Sequence, residues 1–450
     1  MPDQLVRLLT LQDANTRVVL IGTMLLGIAS AVIGSFAVLR RRSLVGDAVA
    51  HAALPGVCLA FMVVGDRNFA AFMVGALVLG IAAAAFIAFV KGATRIKEDA
   101  AIGLAIGGFF GVGIVLSRVI QNQPSGNRAG LDSFIFGKAA SMVAEDAWLI
   151  AGVAAVVLVA VAVLYKEFKV LCFDRDFAAS QGWPAMALDL SLMLLVCICT
   201  VAGLPAVGVV LMVSLLVIPP AAARFWTHRL GTMVILAGVF GGLAGVLGTA
   251  LSATIPAPAS GLSRGWPTGP LITLVAAAFF IVSLVAAPRR GILADVLRRA
   301  ALRRRIADQN LLRNVYEMLE PGGNLSAPWT AASLARGRAS LSRGSGGPMR
   351  AALRSGLVLR HAAGGGEGFV LSPAGQAAAA RVVRVHRLWE MFLITQADIA
   401  VDHVDRDADQ IEHVLSPETL AGLEAQLAAS GRVPLGVPDS PHSTGAQEVR

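Results

Sequence analysis

The sequence has 450 residues and a net charge of +9 at neutral pH, with 56% apolar and 15% charged residues. Ordinary soluble domains contain about 25% charged residues, so this composition argues against a water-soluble enzyme, a disordered chain and a small disulfide scaffold. The charges are also uneven, because residues 1–288 contain 31 Lys, Arg, Asp and Glu and residues 289–450 contain 36. We therefore predict a transmembrane domain over 1–288 and a soluble domain after it.

The transmembrane domain contains repeated apolar runs long enough to cross a bilayer, about 20 residues each. We expect eight or nine transmembrane helices, because residues 187–223 form either one broken helix or two. The runs lie at 18–39, 44–64, 69–90, 100–118, 147–165, 187–204, 206–223, 232–253 and 270–288.

Basic residues orient these helices, because cytoplasmic loops carry an excess of Lys and Arg. The loops at 65–68, 119–146 and 254–269 have few basic residues for their length. We therefore expect these loops and the N-terminus outside, and the tail in the cytoplasm. The basic clusters on the cytoplasmic side lie at 40–42, 91–97, 166–175, 224–229 and 289–290.

Glycines recur at every fourth position in two of the runs, a pattern that lets helices approach closely in membranes. They are Gly103, Gly107 and Gly111 in one run and Gly241 and Gly245 in another. We expect both ridges to pack against neighbouring helices.

Two ionisable residues stand out within the second run. Asp47 and His51 are four residues apart, hence on one helical face, and charges at bilayer depth are costly. A carboxylate and an imidazole together accept manganese, iron or zinc. Pro55 and Gly56 follow one turn later and can open the helix locally. The spacing is consistent with a metal site, but on spacing alone we favour an internal Asp–His hydrogen bond that holds no ligand.

The segment FAVLRRRSLVGDAVAHAALPGVCLAF, residues 36–61, resembles the permease subunits of bacterial zinc/manganese/iron ABC importers. The resemblance implies that Asp47 and His51 line the translocation pathway and bind the metal in transit. Further segments that match this family in order are IKEDAAIG (96–103), LDSFIFG (131–137), FDRDFAASQG (173–182) and AVGVVLMVSLLVIPPAAAR (206–224).

The same resemblance implies the partners of the chain. Residues 174–182 look like a cytoplasmic coupling helix that docks into an ATPase subunit, with Asp176, Ala178, Ala179 and Gly182 at the contact. The sequence contains no Walker-type glycine loop, so we expect a non-enzymatic subunit without a permanent cofactor. A separate ATPase, a second permease chain, identical or paralogous, and an extracytoplasmic metal-binding protein would complete the importer.

The tail begins with a predicted amphipathic helix over 295–320. Residues 329–359 then suggest a helix, a turn, a second helix and the start of a wing that continues through 366–375. This order resembles the winged-helix half of iron/manganese-dependent, diphtheria-toxin-repressor-like regulators. We therefore predict a winged-helix α+β domain at 289–375.

The last part of the chain, 376–450, resembles the metal-binding and dimerisation half of those regulators. The matching segments are VHRLWEMFL (385–393), DHVDRDADQIEHVLSPE (402–418) and LGVPDSPHS (435–443). The resemblance implies metal ligands at His386, Glu412 and His413, with Asp409 where a Glu is usual.

Two departures weaken the implied tail site. Asn310 and Arg313 stand at the positions that align with acidic ligands of the family, and an arginine repels a cation. We therefore expect part of the site to be lost. The tail is either a metal-sensing or dimerising appendage or a structural remnant.

Several tail arginines can neutralise phosphates, as non-specific DNA binding requires. Solvation, or contact with anionic lipid, explains them equally simply, and we favour it over DNA binding. These residues are Arg336, Arg338, Arg343, Arg350 and Arg354.

We predict an all-α polytopic membrane bundle followed by a cytoplasmic winged-helix α+β domain. The expected function is that of a permease subunit of a metal importer in the bacterial plasma (inner) membrane. Manganese is the first candidate for the imported metal, and iron or zinc is the next. A membrane-anchored, metal-dependent transcriptional regulator is the alternative, although nine helices are excessive for an anchor. An intramembrane hydrolase is disfavoured because no nucleophile accompanies Asp47 and His51.

Overall fold

The computed structural model describes residues 14–65, 68–122, 142–254, 267–337, 346–363, 366–396, 417–429 and 437–438. Contacts between Cα atoms divide the chain into two units, Met1–Asp295 and Val296–Arg450. The described part of the first unit is helical throughout, and the second unit adds a two-stranded sheet to its helices.

The helices of the first unit are α1 (Ala14–Leu39), α2 (Ser43–Val64), α3 (Phe69–Ala93), α4 (Glu98–Gln121), α5 (Ala144–Val163), α6 (Tyr165–Phe173), α7 (Arg175–Ser180), α8 (Ala185–Val207), α9 (Val209–Arg224), α10 (Leu230–Thr254) and α11 (Thr268–Ala286). Within the described ranges, eight of them are long and apolar enough to cross a membrane, and a shorter apolar helix covers Leu211–Arg224. The predicted polytopic bundle is confirmed.

The segment 187–223 forms two helices rather than one. Gly208 separates α8 from α9 with φ of 83° and ψ of 166°, a conformation that is essentially restricted to glycine. Helix α9 has only 16 residues and contains Pro219 and Pro220. The break thus sets a short helix beside the long ones.

Glycines allow the closest helix contacts of the first unit. A Cβ atom at Gly241 would lie 2.2 Å from the Gly27 carbonyl oxygen, and one at Gly245 would lie 2.5 Å from the Thr23 carbonyl oxygen. The Gly241/Gly245 ridge therefore packs against α1 as expected. The ridge of Gly103, Gly107 and Gly111 makes no such contact within the described part of the chain, where a Cβ placed at any of them would meet no atom of a neighbouring helix within 4 Å.

The second unit is built around the end of α12 (Ile292–Leu319), which runs through the division between the units. A 3-10 turn (Glu320–Gly322), α13 (Ala331–Gly337), α14 (Gly346–Arg354), strands β1 (Val358–Ala363) and β2 (Gly366–Leu371), α15 (Pro373–Gln396) and α16 (Pro417–Ala429) follow.

An antiparallel hairpin supplies the predicted wing of the second unit. Val358 of β1 lies opposite Leu371 of β2, and Trp329 bridges to Phe369. The Trp329 and Phe369 rings are in contact, with centroids 5.3 Å apart, in a core that also contains Val315 and Val383. The predicted combination of a membrane bundle and an α+β tail is confirmed.

Candidate functional site

Helix α2 places Asp47 and His51 on one face, one turn apart. His51 Nε2 lies 3.5 Å from Asp47 Oδ1, and the two side chains are 27% and 30% exposed. This separation is long for a hydrogen bond. Two ligands bound at about 2.1 Å to one tetrahedral cation are about 3.4 Å apart. The 3.5 Å spacing is close to that value and is compatible with a shared cation.

The surroundings of His51 leave polar atoms to be satisfied. Its Nδ1 atom is buried and has no hydrogen-bond partner in the described part of the chain. Pro55 lies four residues later within the helix and has no N–H to donate to the His51 carbonyl oxygen. The ring of Phe110 packs edge-on against the imidazole, with centroids 4.9 Å apart, and limits its rotation.

Asp47 and His51 supply two ligands, not a complete cage. Among the described residues, no group of three or more His, Cys, Asp and Glu side chains is arranged to hold a metal ion. A transported ion has to bind firmly enough to enter and weakly enough to leave. A two-ligand site is compatible with that requirement, with water or backbone oxygens as further ligands.

An ion-pair cluster centred on a buried carboxylate lies at the start of the same helix. Asp189 of α8 accepts Arg40 at 3.1 Å and Arg42 at 2.9 Å, and its side chain is only 4% exposed. Arg42 also lies 3.3 Å from Glu98, which pairs with Lys91. We call these five residues the Asp189 cluster. The partners of Asp189 are distant in the chain, so no local sequence pattern indicates them.

The predicted coupling segment forms the short helix α7. Asp174 caps it by accepting the Phe177 amide at 2.8 Å, and Gly182 follows it with φ of 81°. Asp176, Ala179 and Gly182 are exposed, whereas Ala178 is fully buried and anchors the helix to its own chain.

Two aromatic side chains of this segment were missed by sequence reasoning. Phe173 is 67% exposed and Phe177 is 51% exposed. Exposed aromatic side chains are the type of residue that anchors protein interfaces, and their position beside the predicted docking residues was the available signal.

In the second unit, His386 contacts an arginine. Arg313 Nη1 lies 3.0 Å from His386 Nδ1, and Arg313 Nε donates to Glu317 at 2.7 Å. His386 Nε2 lies 3.1 Å from Glu390, and both of these side chains are 2% exposed. Because a guanidinium only donates hydrogen bonds, Nδ1 of His386 faces it with its lone pair.

Around His386 the described residues disfavour a metal ion, because the charge of Arg313 lies against Nδ1 and opposes a second cation. Asn310 is half-buried on the same helix as Arg313. The other predicted tail ligands, Asp409, Glu412 and His413, lie outside the described residues.

A second buried arginine holds the neighbouring turn. Arg387 Nη1 donates to Glu320 at 2.8 Å and to the Pro438 carbonyl oxygen at 2.6 Å. Burial lowers the pKa of Arg387, but hydrogen bonding and charge attraction from Glu320 outweigh it, and the pKa is raised overall. The helix that bears His386 is thus fixed by two arginines.

The tail arginines that suggested phosphate contacts are only partly described. Arg350 and Arg354 are exposed on α14 and, with Arg303 and Arg304, line a cleft of about 520 Å³. Arg338 and Arg343, and the side chain of Arg336, lie outside the described parts.

Comparison with known proteins gives two matches to families. The ABC 3 transport family matches residues 12–287, and the iron-dependent repressor metal-binding and dimerisation domain matches residues 372–439. The resemblances predicted from the sequence for these two regions are therefore confirmed.

Individual relatives match mainly through the first unit. The chain is 46% identical over 312 residues to the manganese transport system membrane protein MntC of Bacillus subtilis, covering 69% of this chain and 70% of the relative. It is 40% identical over 287 residues to the zinc transport system membrane protein TroC of Treponema pallidum, covering 64% and 94%. The solved structure of PsaBC from Streptococcus pneumoniae in complex with Fab matches with a TM-score of 0.55 and 31% identity, over 64% of this chain and 97% of that one.

Proposed function

Because the chain belongs to the ABC 3 transport family and is a multi-pass membrane permease, we propose that it imports a divalent transition-metal cation. Manganese is the first candidate, and zinc and iron follow. The spacing of Asp47 and His51 carries the proposal, since 3.5 Å between a carboxylate oxygen and an imidazole nitrogen suits one shared cation. The printed names of the manganese and zinc transport relatives support the same class of cargo.

Asp47 and His51 would contribute differently to binding the transported cation. The Asp47 carboxylate supplies the negative charge that offsets the lost hydration of a dication at membrane depth. The His51 imidazole supplies a borderline-soft nitrogen, which suits manganese, iron and zinc better than calcium or magnesium. Alternating access of this site to the two sides of the membrane would then release the ion inward.

ATP hydrolysis is assigned to a separate subunit, so the chain itself is not an enzyme and holds no permanent cofactor. Helix α7 is the proposed contact, with Phe173 and Phe177 as apolar anchors around Asp176, Ala179 and Gly182. A second permease chain would complete the pathway, and an extracytoplasmic protein would deliver the metal. This arrangement places the protein in a bacterial plasma membrane with its tail in the cytoplasm.

For the tail we propose a role that does not require metal at His386. Arg313 supplies a permanent positive charge to the pocket of His386, Glu317 and Glu390. The pocket would then help to hold the second unit in one conformation whether or not metal is available. DNA binding by the tail is not part of the proposal.

The transport proposal is tested by uptake of manganese, iron and zinc in cells that lack other importers. Asp47→Ala and His51→Ala should abolish uptake while the complex still assembles and hydrolyses ATP at its basal rate. His228→Ala, which changes an exposed histidine outside the spans, is the matched control. Normal uptake by both site variants would refute the assignment of the pair.

A further inference from the structure

We propose that the Asp189 cluster transmits the movement of the coupling helix α7 to the metal-bearing helix α2. This inference rests on the proposed transport function and concerns Arg40, Arg42, Lys91, Glu98 and Asp189. These are positioning residues, since none of them touches the site of Asp47 and His51.

The first step is the attachment of the coupling segment. Arg40 donates to the Leu171 carbonyl oxygen at 3.2 Å and to Asp189 at 3.1 Å. Leu171 lies in α6, which leads into α7, and Asp189 lies in α8, which follows α7. Arg40 therefore holds both helices that flank the coupling segment.

The second step is the turn between α1 and α2. Only residues 40–42 separate the two helices, and Arg41 adopts a left-handed conformation with φ of 58°. That conformation is strained for a residue with a side chain. It lets Arg40 and Arg42 reach the two oxygens of the same Asp189 carboxylate. A displacement of Asp189 would thereby move Arg42, the residue that immediately precedes α2.

The third step is the helix itself. Asp47 lies five residues after Arg42, about 7.5 Å along a helix axis, and the residues between them contain no proline. Such a short helical stretch moves as a rigid piece. A shift at Arg42 would therefore change the position of Asp47 directly.

The cluster also includes residues from α3 and α4, two helices that pack against α2. Arg42 lies 3.3 Å from Glu98 in the first turn of α4, and Lys91 at the end of α3 pairs with the same carboxylate. Glu98 thus connects Arg42, just before α2, to both α3 and α4. Charge-assisted hydrogen bonds to a buried carboxylate such as Asp189 are strong and directional, which suits the transmission of small movements.

The test uses the complete reconstituted importer and measures Mn²⁺ uptake, ATP hydrolysis and Mn²⁺ binding in the same preparation. Asp189→Asn keeps the shape of the side chain and removes its charge. We expect assembly and ATP hydrolysis to persist, while Mn²⁺ transported per ATP falls about tenfold or more, as the loss of a charged hydrogen bond would cause. Mn²⁺ binding without ATP should be retained, and Asp189→Glu should restore part of the coupling.

Asp99→Asn, which neutralises an exposed carboxylate on α4, is the matched control and should behave as wild type. If Asp189→Asn fails to assemble, Arg40→Gln tests the same link, because it cuts the contact with Leu171 and leaves the Arg42–Asp189 pair.

Unchanged Mn²⁺ transport per ATP in the variant that assembles would overturn the proposal. So would a loss of uptake that follows the amount of folded protein. A wild-type complex that transports no Mn²⁺, iron or zinc would instead refute the proposed function.

Discussion

The two units contain the same local motif in opposite surroundings. Asp47 with His51, and His386 with Glu390, are both carboxylate–histidine pairs four residues apart in a helix. The first pair is more than a quarter exposed and, within the described ranges, has no Lys or Arg paired with its histidine, whereas the second is 2% exposed and has Arg313 against its histidine. Spacing alone therefore does not define a metal site, and we propose that the charge which the fold brings to each pair decides whether a metal ion binds.

The difference follows from desolvation. A buried carboxylate needs a positive partner, and in the tail the chain provides one permanently. In the membrane unit, we propose that the charge of Asp47 serves a cation that arrives from outside. Metal binding at each pair should therefore change when the charge beside its histidine is altered to resemble that of the other pair.

The largest effect is expected when a guanidinium is placed in the membrane pair. His51→Arg should abolish uptake of manganese, iron and zinc alike. Two unit charges 4 Å apart near a protein surface interact by roughly 4 kcal/mol, and a dication would meet about twice that repulsion. Metal uptake in cells, normalised to the amount of complex, measures the effect.

His228→Arg controls for the introduction of an arginine as such and should leave uptake unchanged. Residual uptake by His51→Arg at more than about a hundredth of the wild-type level would mean that the ion does not pass the pair at close range, since the expected repulsion exceeds a 100-fold change in affinity.

A smaller effect is expected when the tail loses its internal cation. Arg313→Glu should destabilise the second unit by about 3–5 kcal/mol, the usual cost of removing one partner from a buried ion pair. Mn²⁺ or Zn²⁺ should recover part of the loss, because a carboxylate then replaces the guanidinium beside His386 Nδ1, with Glu390 already at Nε2. Thermal unfolding of the full-length protein, with Asp47→Ala to remove the transport site, measures both changes.

Arg350→Gln, which changes an exposed arginine of the same unit, is the control and should cost little. The comparison breaks down if the protein with Arg313 intact is stabilised by metal and this response disappears in His386→Gln. That result would make His386 a metal ligand after all.

The parts of the fold that depend on local sequence could be predicted. Hydropathy placed the long helices, and the spacing of Asp47 and His51 placed both on one helical face. The break at Gly208 could not be chosen in advance, because apolar composition is the same for one helix and for two. The backbone conformation of Gly208, which is open mainly to glycine, decides between them.

The contacts that give the two sites their character could not be predicted. Asp189 is 149 positions from Arg40, and Arg313 is 73 positions from His386. The sequence indicated only that Arg313 would oppose a cation, and not that its guanidinium would contact His386. Tertiary packing brings such residues together, and no local sequence pattern predicts these contacts.

The smallest effect is expected when residues 289–450 are deleted. The match to the ABC 3 transport family ends at residue 287, and 94% of the zinc transport relative is covered by 287 residues of this chain. A truncated chain should therefore keep most of its metal uptake, because the pair, the coupling helix and the Asp189 cluster all remain. Uptake per membrane-inserted protein is the measurement, and a full-length Arg313→Gln variant separates loss of the tail from a misfolded tail. If the truncated chain inserts normally and takes up no metal, the tail is part of the transport machinery and the two units are not functionally separate.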